Sequence, residues 1–132
     1  MADLEDKLVN AQLTGHIPCI VFESVYSMDG DCAPLEDIIK VSASEKCVLI
    51  VDEAHAVGVY GPKGEGLSVD LKLKIPIRVV TFGKAIGAHG AAIICPELIK
   101  KYLINFSRAF IYSTALPPKS VASIRSAYQL LQ

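Results

Sequence analysis

The sequence predicts an α/β layered fold whose strands are covered on both faces, and three observations carry that prediction. Compact apolar runs rich in branched residues recur at strand length: Ile17 to Glu23, Cys47 to Val51, Ile77 to Phe82 and Ala91 to Cys95. Segments with helical spacing or a proline-opened start stand before, between and after them. The composition, 52% hydrophobic and 20% charged over 132 residues, supplies enough apolar side chains for a core.

In chain order, Leu4, Leu8 and Ala11 recur at helical spacing from Asp3 to Leu13, and Gly15 supplies a left-handed stop. The strand from Ile17 to Glu23 ends towards the turn-forming Met28-Asp29-Gly30-Asp31. Pro34 fits the first turn of a helix that carries Leu35, Ile38 and Ile39 on one face and reaches about Ser44. Cys47 to Val51 is a second strand, ended by Asp52. The loop Glu53 to Gly66 holds Gly58, Gly61, Gly64 and Gly66, which suits a backbone that bends sharply and approaches something closely. After the third and fourth strands, helices run from Pro96 to about Phe106 and from Pro117 to the end.

Composition also excludes whole classes of function. Thirteen Lys plus Arg against fourteen Asp plus Glu leave a net charge of -1, and the basic residues are scattered, which argues against nucleic acid as a partner. No uncharged stretch reaches the roughly 18 apolar residues of a membrane helix, and Met1 to Lys7 is acidic and lacks the features of a secretion signal, so a cytoplasmic location is expected. Cys19, Cys32, Cys47 and Cys95 form no C-x-x-C pair and read as reduced core residues, with no metal site expected.

Ligands of open α/β sheets sit at the carboxyl ends of strands, which directs attention to Ser27, Asp52, His55, Thr81 and Lys84. Asp52 ends an apolar strand, where a carboxylate needs a cation or donor to offset its desolvation. Lys84 follows Thr81-Phe82-Gly83, and a lysine in a tight glycine-flanked turn can form an imine when partial burial favours the neutral amine. His55, three residues beyond Asp52, can donate or accept a hydrogen bond at neutral pH. Taken singly, each has an ordinary explanation: a loop-capping aspartate, a solvated lysine, a backbone-bonded histidine, hydroxyls bonded to backbone. Taken together they fit pyridoxal phosphate, which needs a lysine, a carboxylate for the pyridine nitrogen, a partner for the ring hydroxyl and hydroxyls for the phosphate.

Five runs then occur in order: Ser27-Met28-Asp29-Gly30-Asp31, Val51-Asp52-Glu53-Ala54-His55-Ala56-Val57-Gly58, Gly61-Pro62-Lys63-Gly64-Glu65-Gly66, Thr81-Phe82-Gly83-Lys84-Ala85 and Tyr112-Ser113-Thr114-Ala115-Leu116-Pro117-Pro118. With them, the chain resembles the α-oxoamine synthases, fold-type I pyridoxal phosphate enzymes that join an amino acid to an acyl thioester with loss of carbon dioxide. The resemblance implies a mixed, mostly parallel sheet with helices on both faces, and it reads residues 1–132 as a fragment of the large PLP-binding domain with no second domain. It implies Lys84 as the imine-forming lysine, Asp52 at the pyridine nitrogen, His55 and Ser27 near the ring hydroxyl, and Thr81 at the phosphate. Ser113 and Thr114 would reach the phosphate of a neighbouring subunit, which implies a homodimer with a shared site. Thr81 to Ala85 followed by His89-Gly90-Ala91-Ala92 is most similar to the members that join L-alanine to a pimeloyl thioester, on coenzyme A or a carrier protein, in biotin biosynthesis; sister enzymes with other substrates stay open. An isolated segment of this extent is expected to hold half a site and to be inactive.

A rival reading starts from the same strand. Val48 to Val51 followed by Asp52-Glu53-Ala54-His55 also spells the D-E-A-H box of helicase-type ATPases, which hold magnesium there. No G-x-x-x-x-G-K-[ST] run is present, and Lys84 with its glycines has no part in that scheme.

Overall fold

A computed structural model describes residues 1–44, 46–72 and 74–131. Its elements are α1 (Ala2–Leu13), β1 (Cys19–Glu23), α2 (Leu35–Ser44), β2 (Val48–Asp52), α3 (Leu67–Asp70), β3 (Ile77–Thr81), β4 (Ala91–Ile94), α4 (Glu97–Phe106), α5 (Arg108–Ile111) and α6 (Pro118–Leu130). The strands form one sheet in the order β1-β2-β3-β4. β1, β2 and β3 are parallel, and β4 runs antiparallel to β3. The mixed, mostly parallel sheet with helices is the expected fold class.

The registers fix what the parallel strands deliver at their carboxyl ends. Glu23 pairs with Asp52, and Asp52 with Val79. Thr81, two residues beyond Val79, therefore lies one strand spacing across and two residues along from Asp52, about 8 Å between Cα atoms. The ends of β1, β2 and β3 open on the same side of the sheet.

Two apolar clusters hold the layers. In the first, Leu8 of α1 and Leu35 and Ile38 of α2 pack with Ile20, Phe22, Leu49 and Val51 of β1 and β2. In the second, Val57, Val80, Phe82 and Ile86 are covered by Ile124, Ala127, Tyr128 and Leu131 at the carboxyl-terminal helix. Phe82 meets Tyr128 edge to face, with ring centroids 6.2 Å apart, a geometry favoured by the ring quadrupoles. Phe82 is two residues before Lys84, so α6 braces the turn that carries it.

Several expectations need correction. Coverage on both faces is not met among the described residues: β1 buries Ile20 and Phe22 while Cys19 and Val21 stay exposed, and β4 has no fully buried residue. An apolar run marks a strand without saying how many of its faces are covered. Cys19 and Cys32 are exposed and Cys47 and Cys95 half-buried, so none is a fully buried core residue. Strand alternation turns Cys19 outward beside the inward Ile20, and Cys32 lies in a loop. The four-residue helices α3 and α5 escaped the sequence reading, being too short for a 3.6-residue repeat to register. The helix from Pro117 begins at Pro118, and its last expected residue, Gln132, lies outside the described residues.

Candidate active site

The strand ends bring part of the expected constellation together. Lys84 Nζ lies 2.6 Å from His55 Nε2. At that separation one nitrogen supplies a proton and the other a lone pair, so an ammonium facing a neutral imidazole protonated on Nδ1 satisfies the contact. His55 reaches this position because the chain leaves β2 in a helical turn, with the Ala56 and Val57 amides both donating to the Glu53 carbonyl at 2.9 Å. Lys84 is exposed, not partly buried as expected; it opens a turn closed by the Gly87 amide donating to the Lys84 carbonyl at 2.9 Å.

Asp52 Oδ1 accepts the Ala54 amide at 2.7 Å, the capping contact expected of an aspartate after a strand. Its second oxygen has no protein partner among the described residues. Thr81 Oγ1 is buried and also without a partner, and such an orphan hydroxyl carries an uncompensated desolvation cost. A lysine, a half-used carboxylate and an orphan hydroxyl thus stand within one group of strand ends. Around Lys84 the backbone is open: a Cβ on Gly87 would meet nothing within 4 Å, and one on Gly83 only the Ala88 carbonyl at 3.7 Å. This donor set fits a phosphorylated aromatic aldehyde.

The other candidates stand apart from that group. Ser27 is exposed in a loop closed by the Val25–Cys32 bridge and by Tyr26 N to Asp31 O at 2.9 Å, and its hydroxyl bonds none of the other candidates. Ser113 donates to the Ala109 carbonyl, and Thr114 is exposed on the turn before α6.

Sequence reasoning missed the most connected residue of the site. Glu53 is fully buried. Its Oε2 accepts Ser24 Oγ at 2.9 Å and the Leu67 amide at 3.0 Å, and its Oε1 accepts the Ser68 amide at 2.9 Å. Arg78 Nε stands 3.9 Å from Oε1, while Arg78 Nη2 donates to the Glu65 carbonyl at 2.6 Å. Hydrogen bonds to a charged group contribute about 1.5–3 kcal/mol each. The exposed pairs Lys7–Asp3, Lys40–Asp37 and Lys100–Glu97 contribute about 0–1 kcal/mol each. The bonds to Glu53 offset the desolvation of the buried ion, so the cluster fixes geometry in a way the surface pairs do not. Its signal was Arg78, the lone charge inside a strand, which needs a buried acceptor.

The glycine loop packs against the Lys84 turn, which answers what its backbone approaches. Gly58 has φ +85, and a Cβ there would sit 2.8 Å from the Ala85 Cβ. The loop is tied by Gly58 N to Gly64 O at 2.9 Å and Gly66 N to Tyr60 O at 3.0 Å. Glu65 adds a tether. The bond from its own amide and the Lys63 amide at 2.9 Å hold its carboxyl below the usual 4.5, the Lys63 charge assisting and desolvation opposing.

Comparison with known proteins identifies the lineage. A family model described as aminotransferase class I and II matches residues 1–132. The chain belongs to this family. Over 118 residues it is 48% identical to the 8-amino-7-oxononanoate synthase of Emericella nidulans, an alignment that takes in 85% of this chain and 29% of that protein. A serine palmitoyltransferase from S. paucimobilis, solved with bound PLP-myriocin, superposes with a TM-score of 0.89 at 30% identity, covering 98% of this chain and 34% of that one. The 8-amino-7-oxononanoate synthase of Francisella tularensis superposes with a TM-score of 0.76 at 33% identity, covering 94% and 38%. These relatives are α-oxoamine synthases, the resemblance drawn from the motifs. The chain spans about a third of the length of the curated relatives it matches. In this family setting the D-E-A-H tetrapeptide is a strand exit that carries Asp52 and His55, and the ATPase reading falls away.

Two outcomes follow from the loop. Gly58→Ala should destabilise by about 2–3 kcal/mol in denaturant unfolding, because strain at φ > 0 adds to the clash with Ala85. Gly30→Ala, at φ +71 with nothing within 4 Å, should lose about 1 kcal/mol; equal losses would contradict the close approach. For Glu65, a lowered carboxyl stabilises the fold fully above its unfolded value, and this contribution is lost as pH falls through the lowered folded value. Carboxyl chemical shifts should therefore give a Glu65 midpoint below 4.5; a midpoint at or above it would contradict the tether.

Proposed function

We propose that these 132 residues form part of the large cofactor-binding domain of a pyridoxal phosphate-dependent acyltransferase. The reaction condenses L-alanine with a pimeloyl thioester, of coenzyme A or a carrier protein, to give 8-amino-7-oxononanoate, carbon dioxide and the free thiol for biotin biosynthesis. The observation that carries the reading is the Lys84–His55 contact of 2.6 Å beside the half-used Asp52 carboxylate. The substrates rest on relatives named 8-amino-7-oxononanoate synthase at 39–48% identity.

Bound pyridoxal phosphate supplies an electron sink for the pair released when the substrate Cα–H bond breaks. Lys84 Nζ would hold the cofactor aldehyde and, as a free amine, would take the Cα proton. Asp52 turns its free oxygen to the pyridine nitrogen and favours the protonated ring. His55 bonds the ring hydroxyl and keeps the Lys84 amine in reach, with Ser27 beside that hydroxyl. Thr81 Oγ1 donates to the phosphate, which removes its orphan state. Ser113 and Thr114 serve the phosphate of a second subunit in a homodimer, a role supported by their exposure and by the exposed Phe110, Ile111 and Tyr112 next to them. The cytoplasm is the proposed location; no helix among the described residues is long and apolar enough to cross a membrane.

A second reading, a serine palmitoyltransferase-like enzyme, is favoured by the TM-score of 0.89. The higher sequence identity to the oxononanoate synthases favours the first. Incubating the longest protein product that contains this chain with L-alanine or L-serine and the matching thioester separates the two.

With pyridoxal phosphate and borohydride, that product should carry the label on Lys84. Lys84→Ala should lose the label and about 10³-fold or more of turnover, since anchor and base go together. A label on another lysine, or full activity in the variant, would overturn the assignment.

A further inference from the structure

We infer that Glu53 is a positioning residue that holds His55 against Lys84 and Asp52 at the strand exit. The inference rests on the proposed function for what those residues bind, and on geometry for how they are held. Glu53 stands between Asp52 and the His55 turn, and every part of it is engaged. Its amide donates to the Val79 carbonyl of β3 at 2.8 Å, and its carbonyl takes the two amides of the turn that carries His55. Its carboxylate fastens Ser24 at the end of β1, the Leu67 and Ser68 amides after the glycine loop, and faces Arg78 of β3. The backbone exit of β2 is thereby fixed against three other segments at once.

The chemistry of the partners demands a carboxylate. Two of them are backbone amides, which only donate, and one is a guanidinium, which only donates. An amide in place of the carboxylate sets its NH₂ against the Leu67 or the Ser68 amide in either orientation. Space is also closed: a Cβ on Gly66 would lie 2.8 Å from Glu53 Oε2, so the group cannot swing away. An apolar residue would fill the volume yet leave the donors unpaired. Burying an ion where a packed core could stand is understandable when it fixes one arrangement among several.

The test uses the longest protein product that contains this chain, free of cofactor, and follows the acetylation rate of Lys84 by peptide mass mapping, with exposed Lys119 as internal reference. Glu53→Gln should change the Lys84 to Lys119 rate ratio at least threefold, as the contact with His55 opens. Leu8→Ala, a comparably destabilising change in the core under α1, should leave that ratio as in the wild type. An unchanged ratio in folded Glu53→Gln, or an equal change in Leu8→Ala, would overturn the inference. If Glu53→Gln does not fold, Ser24→Ala, which removes one donor, decides: a shift of about twofold supports the role, and none overturns it. Adding pyridoxal phosphate to the wild type reports separately on the proposed function, because failure to bind it would sink that reading while the rate ratio still decides on Glu53.

Discussion

The buried carboxylate of Glu53 is the constraint on which the site geometry depends. A charge withdrawn from water in this way is tolerable only when its hydrogen-bonding capacity is met, and here a hydroxyl and two backbone amides donate to it while a guanidinium faces it at 3.9 Å as counter-charge. Those groups come from β1's exit, the start of α3 and the start of β3. They arrive together or the ion is stranded, so the cluster couples the sheet to the glycine loop. Asp52 on one side and the His55 turn on the other inherit their positions from it.

A second layer of restraint acts on Lys84. Gly58 brings the loop backbone against Ala85, and Phe82 is braced from below by Tyr128 of α6. The amine is thus presented from a supported turn, exposed at the strand ends and in contact with His55. Among the described residues Thr81 Oγ1, Ser68 Oγ and Arg78 Nε are buried without a hydrogen-bond partner, and in the proposed reading a bound phosphate would satisfy the first.

Much of this was legible in the sequence for identifiable reasons. The strands announced themselves through runs such as Val48-Leu49-Ile50-Val51, and the sharp turns through glycines, since both signals are local. Asp52, His55, Thr81 and Lys84 could be singled out because the apolar strands whose ends they mark were legible; Lys84 is exposed, and Ser27 bonds none of the others. Glu53 escaped because a buried charge and a solvated one share a letter, and only its three-dimensional partners tell them apart. Helices α3 and α5, at four residues each, lie below any periodicity. The exposed outer positions of β1 and β4 depend on which neighbours pack over the sheet, which no local pattern records.

The most direct measurement is a crystal structure of the longest protein product containing this chain, grown with pyridoxal phosphate. The account predicts the ring between Lys84 and Asp52, with a carboxylate oxygen about 2.7–2.9 Å from the pyridine nitrogen and the lysine bonded to the former aldehyde carbon. A cofactor seated elsewhere, or Asp52 and Lys84 directed into separate regions that one ring cannot span, would contradict it.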